Sequence, residues 1–144
     1  MKWVTWEQVG VDRMACAWLI RKYLDAEAEF LFVPVGAKPL PEGAEPFDIP
    51  GARFSHHRGR CTFATLLRAY DLKDPVLERI ARIVDEADVV QEVTLEPAAP
   101  GLDLLCWGLR RISPDDQVAL EHGALLYGAL YAQLASEPGK QSGP

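Results

Sequence analysis

The chain has 144 residues, 49% of them hydrophobic and 25% charged, which fits one globular domain and excludes a disordered chain. Its formal net charge of -6 disfavours direct binding to nucleic acid, because a phosphate backbone would repel the chain as a whole. No signal peptide and no apolar run of the roughly 18 residues that a membrane span requires is visible, so we expect a cytoplasmic protein without membrane contact.

The N-terminal half predicts a small layer of short strands around one helix. Residues 3–5 suit a first strand because they are aromatic and β-branched. Apolar residues at helical spacing predict a helix over 11–24, and the compact apolar run 29–35 predicts a second strand. A third short strand is expected over 47–49, before a Pro-Gly turn. The residues expected on the buried face of the helix are Met14, Ala15, Trp18 and Leu19.

The C-terminal half predicts four helices. Thr62 is expected to cap a helix over 63–70. Asp74 followed by proline predicts the start of the next helix. After a proline-rich break, residues 102–112 have helical periodicity, and the sequence SPDD predicts the start of a long last helix.

These elements predict the fold class and the domain organisation. We expect an α/β fold with a small sheet of short strands followed by a largely helical half, in a single compact domain over 1–135. Residues 136–144 are polar and glycine-containing, which predicts a disordered tail.

Basic residues concentrate in two places in this acidic chain: the segment FSHHRGRC, residues 54–61, and the pair Arg110 and Arg111. In the segment, guanidinium groups and a following helix N-terminus could hold an anion. A solvated basic loop remains the alternative. The candidate anion-binding residues are Arg58, Arg60 and Arg13.

The histidines and carboxylates suggest a second kind of site. His56 and His57 are adjacent, so in an extended segment only one can face a site, and we expect it to be His56. The pocket or metal-ligand candidates are Asp12, Cys16, Asp48, His56, Cys61 and Asp88. No spacing matches a zinc signature, so the sequence leaves open whether a divalent metal ion binds.

Several of these candidates also have structural interpretations. Asp12 and Cys16 share one helix face, beside the buried stripe, where they could simply favour the helix N-terminus and the core. Asp48 could stabilise the Pro-Gly turn. Cys61, in contrast, lies close to arginines and a helix start, a setting that lowers a thiol pKa, so a nucleophilic cysteine is also open.

The chain resembles the C-terminal domain of the chromate-resistance regulators of the ChrB family in four segments: WVT, VDRMACAWLIRKYLDAEAEFLFVP, PFDIPGARFSHHRGRCTFATLLRAYDLKDPVLERIARIVDEAD and SPDD. Their order and spacing match over the chain to about residue 132. The resemblance implies a chromate-resistance protein, an oxyanion-responsive sensing or detoxification domain with chromate as its ligand. It leaves open whether the domain is an enzyme and whether it forms a homo-oligomer.

A looser similarity connects the chain with DHH-type phosphoesterases. Asp12, Asp48, the sequence SHH and Asp88 follow one another in the order in which those enzymes gather manganese. Ser55 stands where the first aspartate of their triplet would be. The similarity implies a metal-dependent hydrolase as the alternative function.

Overall fold

The structure, a computed structural model, describes residues 1–88 and 95–137. The part of the predicted disordered tail beyond residue 137 lies outside the described residues. The strands are β1 (Lys2–Trp6), β2 (Glu29–Val33) and β3 (Ala44–Pro46). The helices are α1 (Val11–Leu19, continued by a π-helical turn, Ile20–Leu24), α2 (Thr62–Ala69), α3 (Pro75–Asp88), α4 (Ala98–Ile112) and α5 (Asp116–Ala135).

The three strands form one parallel sheet in the order β2-β1-β3. Trp3 in the central strand lies opposite Phe30 on one side and Glu45 on the other. A parallel pair cannot be joined by a tight turn, and α1 provides the crossover between β1 and β2. The α/β class and the small sheet followed by a helical half are therefore confirmed. None of the described helices is long and apolar enough to cross a bilayer.

Two predicted boundaries were wrong for local reasons. The third strand covers 44–46 rather than 47–49, because Asp48 has φ of 53° and turns the chain out of the extended conformation. Helix α4 begins at Ala98, four residues before the predicted start, with Pro100 in its first turn. Proline is tolerated there because the first N–H groups of a helix have no intrahelical acceptor.

Helix α1 is the centre of the core and packs against all four other helices. The predicted face is confirmed, since Trp18 is 6% exposed and its three partners are fully buried. Because neighbours surround α1, Asp12 and Cys16 are buried as well, and the prediction that they lie outside the buried stripe was wrong. Helix α5 approaches closely at Gly123, where an added Cβ would lie 3.0 Å from the Cβ of Met14.

Contacts from distant elements hold the start of α1 in place. The hydroxyl of Tyr127, which is buried in α5, donates a hydrogen bond of 2.8 Å to the carbonyl of Val11. The carboxylate of Asp116 accepts hydrogen bonds from the backbone N–H groups of Gln8 and Val9, at 2.9 and 3.0 Å. The residues at the carboxyl end of β1 and the first turn of α1 therefore occupy fixed positions.

Candidate functional site

Four side chains from four separate segments meet at one point, which we call the carboxylate–histidine cluster: Asp12, Asp48, His56 and Asp88. The Nε2 atom of His56 lies 3.0 Å from Oδ2 of Asp12, 3.5 Å from Oδ1 of Asp48 and 3.1 Å from Oδ2 of Asp88. All four line a cleft of about 560 Å³. The structure therefore brings together four of the six pocket candidates.

Asp12, at the start of α1, also forms the N-terminal cap of α2. Its Oδ2 accepts a hydrogen bond of 2.8 Å from the N–H of Thr62, and its Oδ1 accepts one of 3.0 Å from the N–H of Phe63. The prediction that Thr62 caps this helix was wrong, because Cys61 is the N-cap residue and no side chain of the same segment makes the cap. The Thr62 hydroxyl instead donates to Oδ1 of Asp48 at 2.7 Å.

Asp48 is held in place by its backbone and by an arginine. Its φ of 53° lies in the left-handed region, which aspartate tolerates better than most residues because its short polar side chain can hydrogen-bond locally. Arg13 places Nε 3.1 Å from Oδ2 of Asp48 and donates from Nη2 to the Asp48 carbonyl at 3.1 Å. The guanidinium group of Arg13 is therefore committed largely to this one aspartate.

The cluster concentrates negative charge around one imidazole. Hydrogen bonds to Asp12 and Asp48 raise the pKa of His56 to about 10, so this histidine is protonated at neutral pH when no metal ion occupies the cluster. Burial, together with the charges of Asp12 and Asp48, raises the pKa of Asp88 to about 6. Burial and the nearby Asp48 also raise the pKa of Asp12. Since Nε2 carries a single hydrogen, it can donate a good hydrogen bond to only one of the three carboxylates.

The two adjacent histidines differ in the direction in which they point. Both are exposed, but His56 faces the cluster, whereas His57 places Nε2 3.2 Å from the Arg53 carbonyl. A tight turn at Arg58 and Gly59, both with positive φ, follows the pair. Backbone hydrogen bonds between His57 and Arg60 close that turn.

The arginines of this loop lie away from the cleft. Arg60 makes an ion pair of 2.9 Å with Asp85, and Arg58 is exposed. Neither residue lines the cleft, whose arginines are Arg13 and Arg110. Arg110 is absent from the set of site residues predicted from the sequence, although the Arg110–Arg111 pair was visible as a basic patch. Its place in the same cleft as the cluster depends on the packing of α4 against the rest of the fold, and no local sequence pattern indicates that packing.

The two predicted cysteine candidates lie beneath the cluster and have no exposed surface. Cys16 donates a weak hydrogen bond of 3.5 Å from Sγ to Oδ1 of Asp12, and Cys61 directs Sγ towards the Ala81 carbonyl at 3.7 Å. Burial and nearby carboxylates raise the pKa of both thiols. Because a thiolate is the reactive form of cysteine, these positions oppose nucleophilic chemistry.

We expect no thiol of the folded protein to react quickly with 5,5′-dithiobis(2-nitrobenzoate) at pH 8. The three cysteines of the chain are all buried, so the reagent must wait for unfolding. Absorbance at 412 nm should show a slow release over hours in buffer and a rapid release of three equivalents in guanidinium chloride. Rapid release of one equivalent from the native protein would contradict this prediction.

Comparison with known proteins assigns the chain to a family. The family model described as "ChrB, C-terminal domain" matches residues 3–134. Protein ChrB of Cupriavidus metallidurans is 33% identical over 136 residues, which cover 94% of this chain and 41% of that protein. The chain thus spans about two fifths of the length of this curated relative. No solved structure matches it significantly. The chain belongs to the ChrB C-terminal domain family.

Proposed function

We propose that this chain is a chromate-resistance domain in which the carboxylate–histidine cluster binds a divalent metal ion, and that this metal ion helps to bind a tetrahedral oxyanion such as chromate. Family membership supports the connection with chromate resistance. The observation that carries the metal site is the convergence of three carboxylates on the Nε2 atom of His56, within 3.0 to 3.5 Å.

The ligand chemistry favours a divalent cation of the manganese, iron or zinc type. Carboxylate oxygens suit hard divalent cations, and an imidazole nitrogen adds affinity for the later transition metals. The ligand atoms of Asp12, Asp48 and His56 all lie within 4.8 Å of one another, so one ion could contact all three. Asp88 lies 3.1 Å from the same nitrogen but outside this group of mutually close ligand atoms, so it would supply a fourth ligand after a small movement of its side chain.

A metal ion also removes an electrostatic obstacle to anion binding. Chromate is a dianion at neutral to alkaline pH, and the carboxylates of the cluster would repel it in a chain of net charge -6. A bound divalent cation cancels two negative charges and offers a coordination position to an oxyanion oxygen. Anion binding at this cleft should therefore depend on the metal.

The site supports binding of chromate better than its reduction by a thiol. Reduction would need an accessible sulfur atom, and all three cysteines are buried and free. The fit is therefore better to an oxyanion sensor than to a thiol-based detoxifying enzyme.

A metal-dependent hydrolase is less well supported. The described residues offer a single group of histidine, cysteine and acidic side chains suited to one ion. Ser55, in the place of the first aspartate of the DHH triplet, donates its hydroxyl hydrogen to the Ala52 carbonyl at 2.7 Å. A second metal position like that of the DHH-type enzymes would lack this ligand.

Calorimetric titration of the metal-free protein with Mn²⁺, followed by titration of the loaded protein with sulfate and chromate, tests the proposal. We expect one Mn²⁺ per chain and anion binding only after metal loading. Asp88→Asn should weaken Mn²⁺ binding by about 100-fold or more, since it changes a proposed ligand. Sulfate serves as the redox-inert analogue of chromate.

Two variants separate this proposal from anion capture by the basic loop. Arg58→Ala and Arg60→Ala should bind sulfate like the wild type, because neither residue lines the cleft. Sulfate binding that is equal with and without Mn²⁺ and is lost in either arginine variant would overturn the proposal. Absence of Mn²⁺ binding by the folded wild type would overturn it as well.

A further inference from the structure

The cleft that contains the carboxylate–histidine cluster also carries hydrogen-bond donors that the described residues leave largely without acceptors. Resting on the proposed function, we infer that Arg110 and the indole N–H of Trp6 form the oxyanion-binding wall of the cleft and select a tetrahedral dianion.

Arg110 is the arginine of the cleft whose guanidinium group is most available for hydrogen bonds to a ligand. Its guanidinium group stacks over the ring of Trp107, with 4.2 Å between the guanidinium carbon and the ring centroid. Of its five N–H donors, one makes a long hydrogen bond of 3.4 Å, from Nη1 to the Gln8 carbonyl. The described residues show no carboxylate paired with it. Stacking fixes the plane of the group and leaves its donors available to an anion.

The other arginines near the cluster are already engaged or lie elsewhere. Arg13 forms an ion pair with Asp48 and donates from Nη2 to the Asp48 carbonyl, although its buried Nε makes no hydrogen bond among the described residues. Arg60 is paired with Asp85, and Arg58 lies outside the cleft. Arg110 is therefore the arginine of the described cleft that can bind a ligand without breaking an ion pair.

Trp6 supplies a second donor of the same kind. It ends β1 and lines the cleft. Its indole Nε1 is buried and has no hydrogen-bond partner among the described residues. A buried donor without an acceptor costs about 1 to 3 kcal/mol. Because the nitrogen itself is buried and the guanidinium carbon of Arg13 lies 5.7 Å from the ring centroid, a ligand oxygen would relieve that cost after a small movement of the indole.

The first turn of α1 adds positive potential on the same side. Gly10 is its N-cap residue, lines the cleft and provides no side-chain cap. The free N–H groups of a first turn favour negative charge. The donors thus come from three elements: the end of β1, the start of α1 and the last turns of α4.

This arrangement favours a ligand with several acceptor oxygens and a charge of two. A tetrahedral oxyanion could direct one oxygen to the metal ion and others to the guanidinium fork of Arg110 and the Trp6 indole. A monovalent planar anion such as nitrate has fewer oxygens and half the charge. The wall should therefore prefer sulfate or chromate over nitrate.

The test is calorimetric titration of sulfate into Mn²⁺-loaded wild type, Arg110→Ala, Trp6→Phe and Arg111→Ala, with nitrate titrated into the wild type. Arg111 is the matched control, because it is the next residue, is exposed and does not line this cleft. We expect sulfate affinity to fall by about 10- to 100-fold in Arg110→Ala and about 5-fold in Trp6→Phe, from the usual contributions of charged and neutral hydrogen bonds. Arg111→Ala should match the wild type.

Mn²⁺ affinity, measured first for every variant, distinguishes a failure of the oxyanion-binding wall from a failure of the proposed metal site. We expect it to change by less than about threefold, since none of the three substitutions touches a proposed ligand. If all variants bind Mn²⁺ and bind sulfate as the wild type does, the oxyanion wall is wrong while the metal site stands. If the wild type binds no Mn²⁺, the proposed function itself fails. Equal affinity of the wild type for sulfate and nitrate would overturn the inferred selectivity.

Discussion

Replacing Asp12 by alanine should lower the free energy of unfolding by about 3 kcal/mol, because two buried N–H groups would lose their acceptor at about 1 to 3 kcal/mol each. The two groups belong to Thr62 and Phe63, in the first turn of α2. Asp12 is 2% exposed, so water cannot easily replace the lost carboxylate. Urea denaturation followed by circular dichroism at 222 nm measures the effect.

Asp115→Ala is the matched control for this change. Asp115 caps α5 by accepting one hydrogen bond of 2.9 Å from the N–H of Val118 in an exposed position. Loss of such a cap costs about 1 kcal/mol. If the two variants lose equal stability, Asp12 is no more than an ordinary cap. If Asp12→Ala does not fold at all, Asp12→Asn, which keeps one acceptor oxygen, should recover a cooperative transition.

Replacing His56 by alanine should lower the affinity for Mn²⁺ by about 100-fold or more, because it removes the nitrogen ligand at the centre of the carboxylate–histidine cluster. His57→Ala should leave the affinity unchanged, since His57 points towards the Arg53 carbonyl and away from the cluster. Electron paramagnetic resonance of free Mn²⁺ in a titration gives both affinities. The two histidines are adjacent in the same loop, so the comparison tests the direction of the side chain. Equal affinities in both variants would remove His56 from the metal site.

The sequence was sufficient for the parts of the fold that depend on short-range patterns. Periodicity placed α1 and its buried face, and the Asp74–Pro75 pair marked the start of α3. It failed where a tertiary contact replaced a local signal. Thr62 looked like a cap, but the acceptor for the first turn of α2 comes from Asp12, 50 residues earlier. No pattern in the sequence between residues 60 and 70 predicts that contact.

Only part of the candidate site could be predicted, because the sequence shows residue types and neighbours but not tertiary contacts. Residue type singled out Asp12, Asp48, His56 and Asp88 because carboxylates and imidazole bind metals, and chain order suggested that they could meet. The basic loop was favoured for anion binding because its charges are adjacent in sequence. Arg110 shares the cleft with Asp12 although almost 100 residues separate them, and no spacing rule connects helices α1 and α4.

The left-handed backbone at Asp48 has a consequence for recognising this site in other chains. Glycine, asparagine and aspartate occupy such a conformation more readily than other residues, so the turn favours these three residue types at the position before any chemistry is considered. Among these three, only aspartate brings a charge to the cluster. Related chains with glycine or asparagine here would keep the turn and lose the charged ligand. Aspartate at this position together with histidine at position 56 would identify the chains that keep both the turn and the metal ligands.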